Sequence, residues 1–92
     1  MANICAHVYV SGDVQGVGFR YSAIRQAKDL GVTGWVRNLR DGQVELLIEG
    51  EESDVHQMVA WCRHGPRGAD VTDIQTEIRA YTASFQDFDV MF

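Results

Sequence analysis

Apolar and polar residues alternate near the start of the chain in the pattern of a β-strand. From residue 4 to residue 10 the even positions hold Ile, Ala, Val and Val, whereas the odd positions hold Cys, His and Tyr. This period of two predicts a strand with one face on a core. From residue 23 to residue 30 the apolar residues recur at helical spacing, which predicts an amphipathic helix. Gly31 follows as a left-handed helix stop.

A hairpin is predicted in the middle of the chain. Strand patterns at residues 32–39 and 44–48 flank the sequence Arg40-Asp41-Gly42-Gln43. Asp-Gly between two such patterns predicts a tight turn with positive φ at both central positions. The two strands should therefore pair antiparallel.

A second helix is predicted after this hairpin. Residues 51–54 combine three carboxylates with Ser53, which we interpret as a helix start with Ser53 as the capping hydroxyl. Apolar residues follow at positions 55, 58, 59 and 62, and Gly65-Pro66 ends the helix. The acidic run Glu49–Asp54 is expected to be solvated and not to bind a metal.

Two more strand patterns complete the chain, at residues 71–78 and 85–92, the last of them at a sheet edge. The order β, α, β, β, α, β with an added strand predicts an α+β, ferredoxin-like split βαβ sandwich. In this arrangement (βαββαβ) both helices cover one face of an antiparallel sheet, and residues 1–92 form a single domain. The fold does not fix a function, because enzymes, RNA binders and regulators share it.

Composition and charge exclude several classes of partner. The 92 residues are 46% hydrophobic and carry a net charge of −5 without a basic run, so nucleic acid is not an expected partner. No apolar stretch approaches a membrane span and no signal-peptide pattern is present, so we expect a cytoplasmic protein, and we expect a monomer. Cys5 and Cys62 lack zinc or redox spacing and should be buried free thiols.

The stretch Ser11–Arg20 carries the clearest chemical signal. It places Gly12, Gly16 and Gly18 between the first strand and the first helix, with Arg20 where that helix begins. Glycines allow successive N–H groups to form one concavity, and a helix start adds free donors and a favourable dipole for an anion. The alternative is a Gly-rich turn followed by a surface arginine.

The residues around this stretch exclude the usual ways of handling a phosphoryl group. No cysteine lies at a short distance before Arg20, as the nucleophile of a thiol phosphatase would, no Gly-Lys-Ser/Thr follows as in a P-loop, and the third glycine of a dinucleotide fingerprint is missing. His7, His56 and His64 lack metal-ligand spacing and are expected at the surface or the edge of the core. What remains is direct attack by a water molecule, oriented by a polar side chain. Asn38 is the candidate, and a purely structural amide is the alternative.

These residues together resemble the acylphosphatase family. The ordered stretch Gly12-x-Val14-Gln15-Gly16-Val17-Gly18-Phe19-Arg20 is followed eighteen positions later by Asn38 in the context Gly34-Trp35-Val36-x-Asn38. The Asp41-Gly42 hairpin, the Gly-Glu helix start and Trp61 extend the resemblance over nearly the whole chain. One departure is the ending Val90-Met91-Phe92, where family members commonly have a basic residue before an aromatic one, which puts a terminal salt bridge in doubt.

The resemblance implies an enzyme that hydrolyses the carboxyl-phosphate bond of small acyl phosphates to carboxylate and inorganic phosphate, without a metal or organic cofactor. Arg20 and Asn38 would be the catalytic residues: Arg20 would grip the phosphoryl group and Asn38 would hold the attacking water. The implied phosphate-binding loop consists of Gln15, Gly16, Val17, Gly18, Phe19 and Arg20. A non-catalytic phosphate-binding or regulatory module is the alternative, and an RNA-binding domain is disfavoured by the negative charge.

Other side chains have less specific interpretations. Phe19 is expected to anchor the loop to the core. Trp35 and Trp61 are interpreted as packing residues, with the rim of the site as the alternative for Trp35. Arg37 and Arg40 either add positive field near the site or lie on a solvated strand face.

Overall fold

A computed structural model describes residues 2–92 as a five-stranded sheet with two helices packed on it. The strands are β1 (Asn3–Asp13), β2 (Thr33–Asn38), β3 (Val44–Glu51), β4 (Asp70–Ala80) and β5 (Phe88–Val90), and the helices are α1 (Phe19–Leu30) and α2 (Glu52–Cys62). The sheet order is β4-β1-β3-β2-β5. The predicted ferredoxin-like fold is confirmed. Within residues 2–92 neither helix is long and apolar enough to span a membrane.

The sheet is mixed, so the prediction of a wholly antiparallel sheet is wrong at one edge. β1, β2, β3 and β4 pair antiparallel, but β5 lies parallel to β2, with Gly34 opposite Phe88. The reason is the path of the chain after β4. β4 and β5 lie at opposite edges of the sheet, so the segment 81–87 crosses from one edge to the other. After this crossing β5 runs in the same direction as β2.

The core lies between the sheet and the helices and follows the predicted periodicity. On β1 the even-numbered Ala6, Val8 and Val10 are fully buried, and they belong to the same cluster as Ala23 and Ala27 of α1. The four apolar positions predicted for α2 are all buried as well. Fully burying a side chain of valine or methionine size stabilises a fold by about 1.5–3 kcal/mol, so this cluster holds both helices on one face.

Neither helix begins with a side-chain cap. α1 starts without a side-chain cap after Gly18 and ends at Gly31, whose φ of 75° is the predicted left-handed stop. α2 has Glu51 at its N-cap position and no side-chain cap, so the prediction that Ser53 caps it is wrong. Ser53 lies inside the first turn, and its hydroxyl donates to the Glu51 carboxylate. Carboxylates in that turn still complement the helix dipole.

The hairpin between β2 and β3 forms as predicted, but its turn is longer. Leu39 N–H donates to the Gln43 carbonyl at 2.8 Å, and Gly42 N–H donates to the Leu39 carbonyl at 3.3 Å, so three residues form the loop. Gly42 is the residue with positive φ (94°), whereas Asp41 is not, and the expected two-residue turn is therefore wrong. A turn followed by a left-handed glycine is the common three-residue solution.

Two carboxylates on the helix-free face of the sheet, Glu45 and Glu49, are buried. Glu49 is 0% exposed and its Oε2 accepts hydrogen bonds from the backbone N–H and the hydroxyl of Thr82, at 2.9 and 2.7 Å. The expectation of a solvated acidic run is therefore wrong at Glu49, because the segment after β4 covers this position. Cys5, directly opposite Glu49 on β1, is a buried free thiol, as is Cys62, and both were predicted so.

Candidate active site

The Gly-rich loop is shorter than the stretch that the sequence singled out. β1 continues to Asp13, so residues 14–18 form the loop, and the earlier glycine belongs to the strand. The pairing of β1 with β4 shifts in register between Ser11 and Gly12. A Cβ atom on Gly12 would collide with the carbonyl oxygen of Asp70. Gly12 therefore permits the close approach of β4. The candidate anion-binding loop, which we call the cradle, consists of residues 14–18.

Gly16 and Gly18 give the loop the shape of a cradle. Both are left-handed, with φ of 76° and 77°, and beyond the adjoining residues no atom lies within 4 Å of the position that a Cβ would take at either residue. In the part of the chain that the structure describes, the N–H groups of residues 16–18 donate to no backbone carbonyl. Free N–H groups at a left-handed turn before a helix are suited to bind an anion.

The start of α1 adds positive potential to this cradle. The helix has no acidic residue in its first turn and no side-chain cap, whereas α2 carries Glu52 and Asp54 at the same place. Because an unpaired helix N-terminus is equivalent to roughly half a positive charge, α1 presents this charge to the cradle and α2 neutralises its own. Within residues 2–92 no carboxylate forms an ion pair with Arg20.

Asn38 lies at the end of β2 and lines the same cavity as Arg20, Gly16 and Gly18. The cavity has a volume of about 340 Å³. The Asn38 Oδ1 atom is buried and has no hydrogen-bond partner among the described residues. A buried amide with a purely structural role should have its oxygen paired. The other buried side-chain oxygen without a partner among the described residues, Glu49 Oε1, lies on the opposite face of the sheet, whereas the Asn38 oxygen belongs to a residue that lines the cavity, which favours a role toward a bound water or ligand.

Two glutamine side chains tie the loop to the hairpin beside Asn38. Gln15 Nε2 donates to the carbonyl oxygens of Leu39 and Gln43, at 2.7 and 2.8 Å. Gln43 Nε2 in turn donates to the hydroxyl of Ser11 at 2.8 Å. These bonds join β1 and its loop to the turn that follows Asn38. Sequence reasoning did not foresee them, because the partners are 24 to 32 positions apart.

Most of the predicted loop residues line the cavity, but two side chains do not. Gly16, Gly18, Phe19 and Arg20 line it with Asn38, whereas Gln15 faces the hairpin and Val17 packs against the core. Phe19 is buried, with its ring 5.2 Å from that of Trp61, so it anchors the loop as expected. The sequence analysis missed the remaining lining residues, which are Val14, Tyr21, Ile24, Val90 and Phe92. Helical spacing from Arg20 was a usable signal for Ile24.

Trp35 and Arg37 belong to the opposite face of the sheet and do not line the cavity. Arg37 bonds to the Glu45 carboxylate, and its guanidinium lies 5.2 Å from the Trp35 ring centroid. His7 Nε2 and Glu45 Oε2 are 2.6 Å apart. Burial acts to raise the pKa of Glu45, but hydrogen bonds from His7, Arg37 and Tyr9 outweigh it and hold this pKa below the ordinary value.

Comparison with known proteins identifies the family of the chain. A model of the acylphosphatase family matches residues 6–90. The chain belongs to the acylphosphatase family. An acylphosphatase from Methylococcus capsulatus is 52% identical over 85 residues, which are 92% of each chain. The crystal structure of an acylphosphatase from Bacillus subtilis is 34% identical, with a TM-score of 0.93 over 97% of this chain and 99% of that one.

A second solved acylphosphatase, from Coxiella burnetii, is 40% identical, with a TM-score of 0.91 over 97% of this chain and 93% of that one. The predicted resemblance and the assignment to a family of hydrolytic enzymes are therefore confirmed. Membership of the acylphosphatase family supports hydrolysis of acyl phosphates as the general activity.

Proposed function

We propose that this chain hydrolyses the carboxyl-phosphate bond of small acyl phosphates by direct attack of water, with Arg20 and the loop N–H groups holding the phosphoryl group and Asn38 orienting the water. The observation that carries the proposal is the unpaired, buried Oδ1 of Asn38 in the cavity that Arg20 also lines. An amide oxygen accepts a hydrogen bond from water, and this bond fixes the direction in which the lone pair of the water oxygen points.

The reaction needs no covalent intermediate on the protein. The water oxygen forms a bond to phosphorus while the bond between phosphorus and the acyl oxygen breaks, and the electron pair of that bond leaves with the carboxylate. The proton of the water passes to a phosphoryl oxygen. A carboxylate is a good leaving group, so positioning and charge stabilisation carry the catalysis and a strong general base is not required.

The electrostatics of the cavity support Arg20 as the phosphoryl ligand. Its guanidinium is a planar fork that matches two phosphoryl oxygens. No carboxylate within residues 2–92 competes for it as an ion-pair partner. Gly16 and Gly18, whose N–H groups donate to no backbone carbonyl, line the same cavity, and α1 begins one residue before Arg20 without a side-chain cap. Together they favour the additional negative charge that the transferring group spreads over its oxygens.

Arg20→Lys tests whether the Arg20 guanidinium binds the phosphoryl group. Purified protein with benzoyl phosphate and EDTA should release inorganic phosphate far faster than buffer alone. Because lysine keeps the charge and loses the fork, kcat/KM should fall by about a hundredfold or more. Arg25→Lys is the matched control, since Arg25 is an exposed arginine on α1 outside the cavity. Full activity of Arg20→Lys would contradict the assigned role, and phosphate binding without turnover by the unaltered protein would indicate a non-catalytic module.

Asn38→Ala tests the orientation of the water. We expect kcat to fall by about a hundredfold while the inhibition constant of inorganic phosphate stays within about twofold, because the cradle is intact. Asn3→Ala, an exposed asparagine at the start of β1, is the control for asparagine removal. An equal loss of turnover and phosphate affinity would make Asn38 a phosphate ligand and refute its role toward water.

A further inference from the structure

The cavity has an apolar side that the chemistry of phosphate transfer does not use. We define the apolar wall as Tyr21, Ile24, Val90 and Phe92, which line the cavity together with the cradle. Among the described residues that line it, Arg20 is the one charged side chain, although the chain contains 13 Asp and Glu residues. One part of the cavity is therefore suited to a phosphoryl group and the other to an uncharged apolar group.

Two aromatic residues of this wall are exposed to solvent. Tyr21 is 77% exposed and Phe92 is fully exposed. The other exposed large apolar residues, which are Ile78, Tyr81 and Met91, lie outside this cavity. Exposed apolar residues gathered at the mouth of one cavity indicate a binding surface, whereas scattered ones do not.

The wall is adjacent to the candidate phosphoryl ligand. The Arg20 guanidinium carbon lies 6.0 Å from the centroid of the Phe92 ring. Ile24 follows Arg20 by one helical turn on α1 and so extends along the same face of the helix. An acyl group bonded to a phosphoryl group in the cradle therefore has apolar side chains within reach.

We infer that the apolar wall binds the acyl group of the substrate, and that Tyr21 and Phe92 select acyl phosphates with an uncharged aromatic or branched apolar acyl group over those with a short or anionic one. This inference rests on the proposed function. Burial of apolar substrate surface against the wall is favourable. An anionic acyl group would need a second cation, and Arg20 is already engaged by the phosphoryl group.

The test compares benzoyl phosphate, acetyl phosphate and succinyl phosphate with Phe92→Ala and Tyr21→Ala. The measured quantity is the ratio of kcat/KM for benzoyl phosphate to that for acetyl phosphate, divided by the same ratio in the unaltered protein. This double ratio cancels the difference in intrinsic reactivity between the two compounds. Each variant should lower it by about tenfold. Met91→Ala, an exposed neighbour outside the cavity, should leave it within about twofold.

Other outcomes separate the inference from the proposed function. An equal loss for benzoyl and acetyl phosphate, or no loss, would overturn the inference while the proposed function stands. Succinyl phosphate turned over better than benzoyl phosphate would also overturn it. If the unaltered protein hydrolyses none of the three, the proposed function fails. The wall is then tested by binding alone: benzylphosphonate should bind at least tenfold tighter than methylphosphonate, with the difference reduced in Phe92→Ala, and equal affinities would refute the wall.

Discussion

Replacing Gln15 by methionine should both weaken the fold and misplace Asn38. The Gln15 amide donates to the carbonyl oxygens of Leu39 and Gln43, which lie at the base of the β2–β3 hairpin. Methionine has a similar length and flexibility but no donor. Gln15→Met therefore removes these two hydrogen bonds with little change in packing volume. Gln57→Met, at an exposed position of α2, is the matched control.

The loss of stability can be worked out from the partners that remain. A hydrogen bond contributes about 1 kcal/mol net, and a buried acceptor left without any partner costs more. Here both carbonyl acceptors keep a hydrogen bond in the variant. Gly42 N–H still donates to the Leu39 carbonyl, and Leu39 N–H still donates to the Gln43 carbonyl. The expected decrease in the free energy of unfolding is therefore about 2 kcal/mol. A small domain has about 5–15 kcal/mol in total, so the variant should still fold.

Urea unfolding and steady-state kinetics together check this reasoning. The unfolding midpoint should fall by about 1–2 M urea at an unchanged m-value. For acyl phosphate hydrolysis we expect kcat to fall by about tenfold with little change in the inhibition constant of phosphate, because these bonds hold the hairpin that follows Asn38 and the N–H groups of residues 16–18 take no part in them. A decrease in stability no larger than that of Gln57→Met would refute the two bonds. An equal loss of turnover and phosphate affinity would refute the link to Asn38.

Two further predictions concern ionisable groups outside the site. Glu45 has a lowered pKa, because the hydrogen bonds from His7, Arg37 and Tyr9 outweigh its burial, so its contribution to stability is present above its ordinary pKa and is lost as the pH falls through the lowered one. Urea unfolding between about pH 6 and pH 3 should therefore show a smaller loss in Glu45→Gln than in the unaltered protein, and equal losses would contradict the network. Burial raises the pKa of Cys62 to about 12 and also raises that of Cys5, so both thiols should resist a thiol-specific disulfide reagent at about pH 8 until urea unfolds the chain. Fast labelling of the folded protein would contradict this.

The helices and strands were predictable because each has its own short-range pattern of apolar and polar residues. β1 alternates with a period of two, and α2 repeats at helical spacing, so each identifies its own buried face. The direction of β5 was not predictable from such a pattern. Whether an edge strand runs parallel or antiparallel depends on the path of the segment 81–87, which joins two elements at opposite edges of the sheet. Local periodicity carries no information about that path.

The candidate site was predictable for a different reason. Arg20 and Asn38 stood out because their residue types fit phosphoryl chemistry and because the surrounding motif resembles acylphosphatases. The buried state of Glu45 and Glu49 was missed, since a carboxylate on the outer face of a strand is solvated unless something covers it. Its cover here comes from residues far along the chain, such as Thr82 for Glu49. The apolar wall was missed because Val90 and Phe92 reach the cavity only through the parallel pairing of β5.

Of the two buried side-chain oxygens without a partner among the described residues, Glu49 Oε1 lies on the helix-free face of the sheet, and Asn38 Oδ1 lies where a ligand would satisfy it. In the described part of the chain, the Asn38 oxygen, the N–H groups of Gly16 and Gly18 and the start of α1 lack a protein partner, and the residues that carry them line one cavity. The buried Asn38 oxygen costs stability when it has no partner, whereas the exposed Gly16 and Gly18 leave their N–H groups open to solvent. The start of α2 shows that the same chain places carboxylates at a helix start elsewhere. Their absence at α1 leaves the positive end of that helix for an anionic substrate, and phosphate that binds there should stabilise the folded state in proportion to its concentration relative to its Kd.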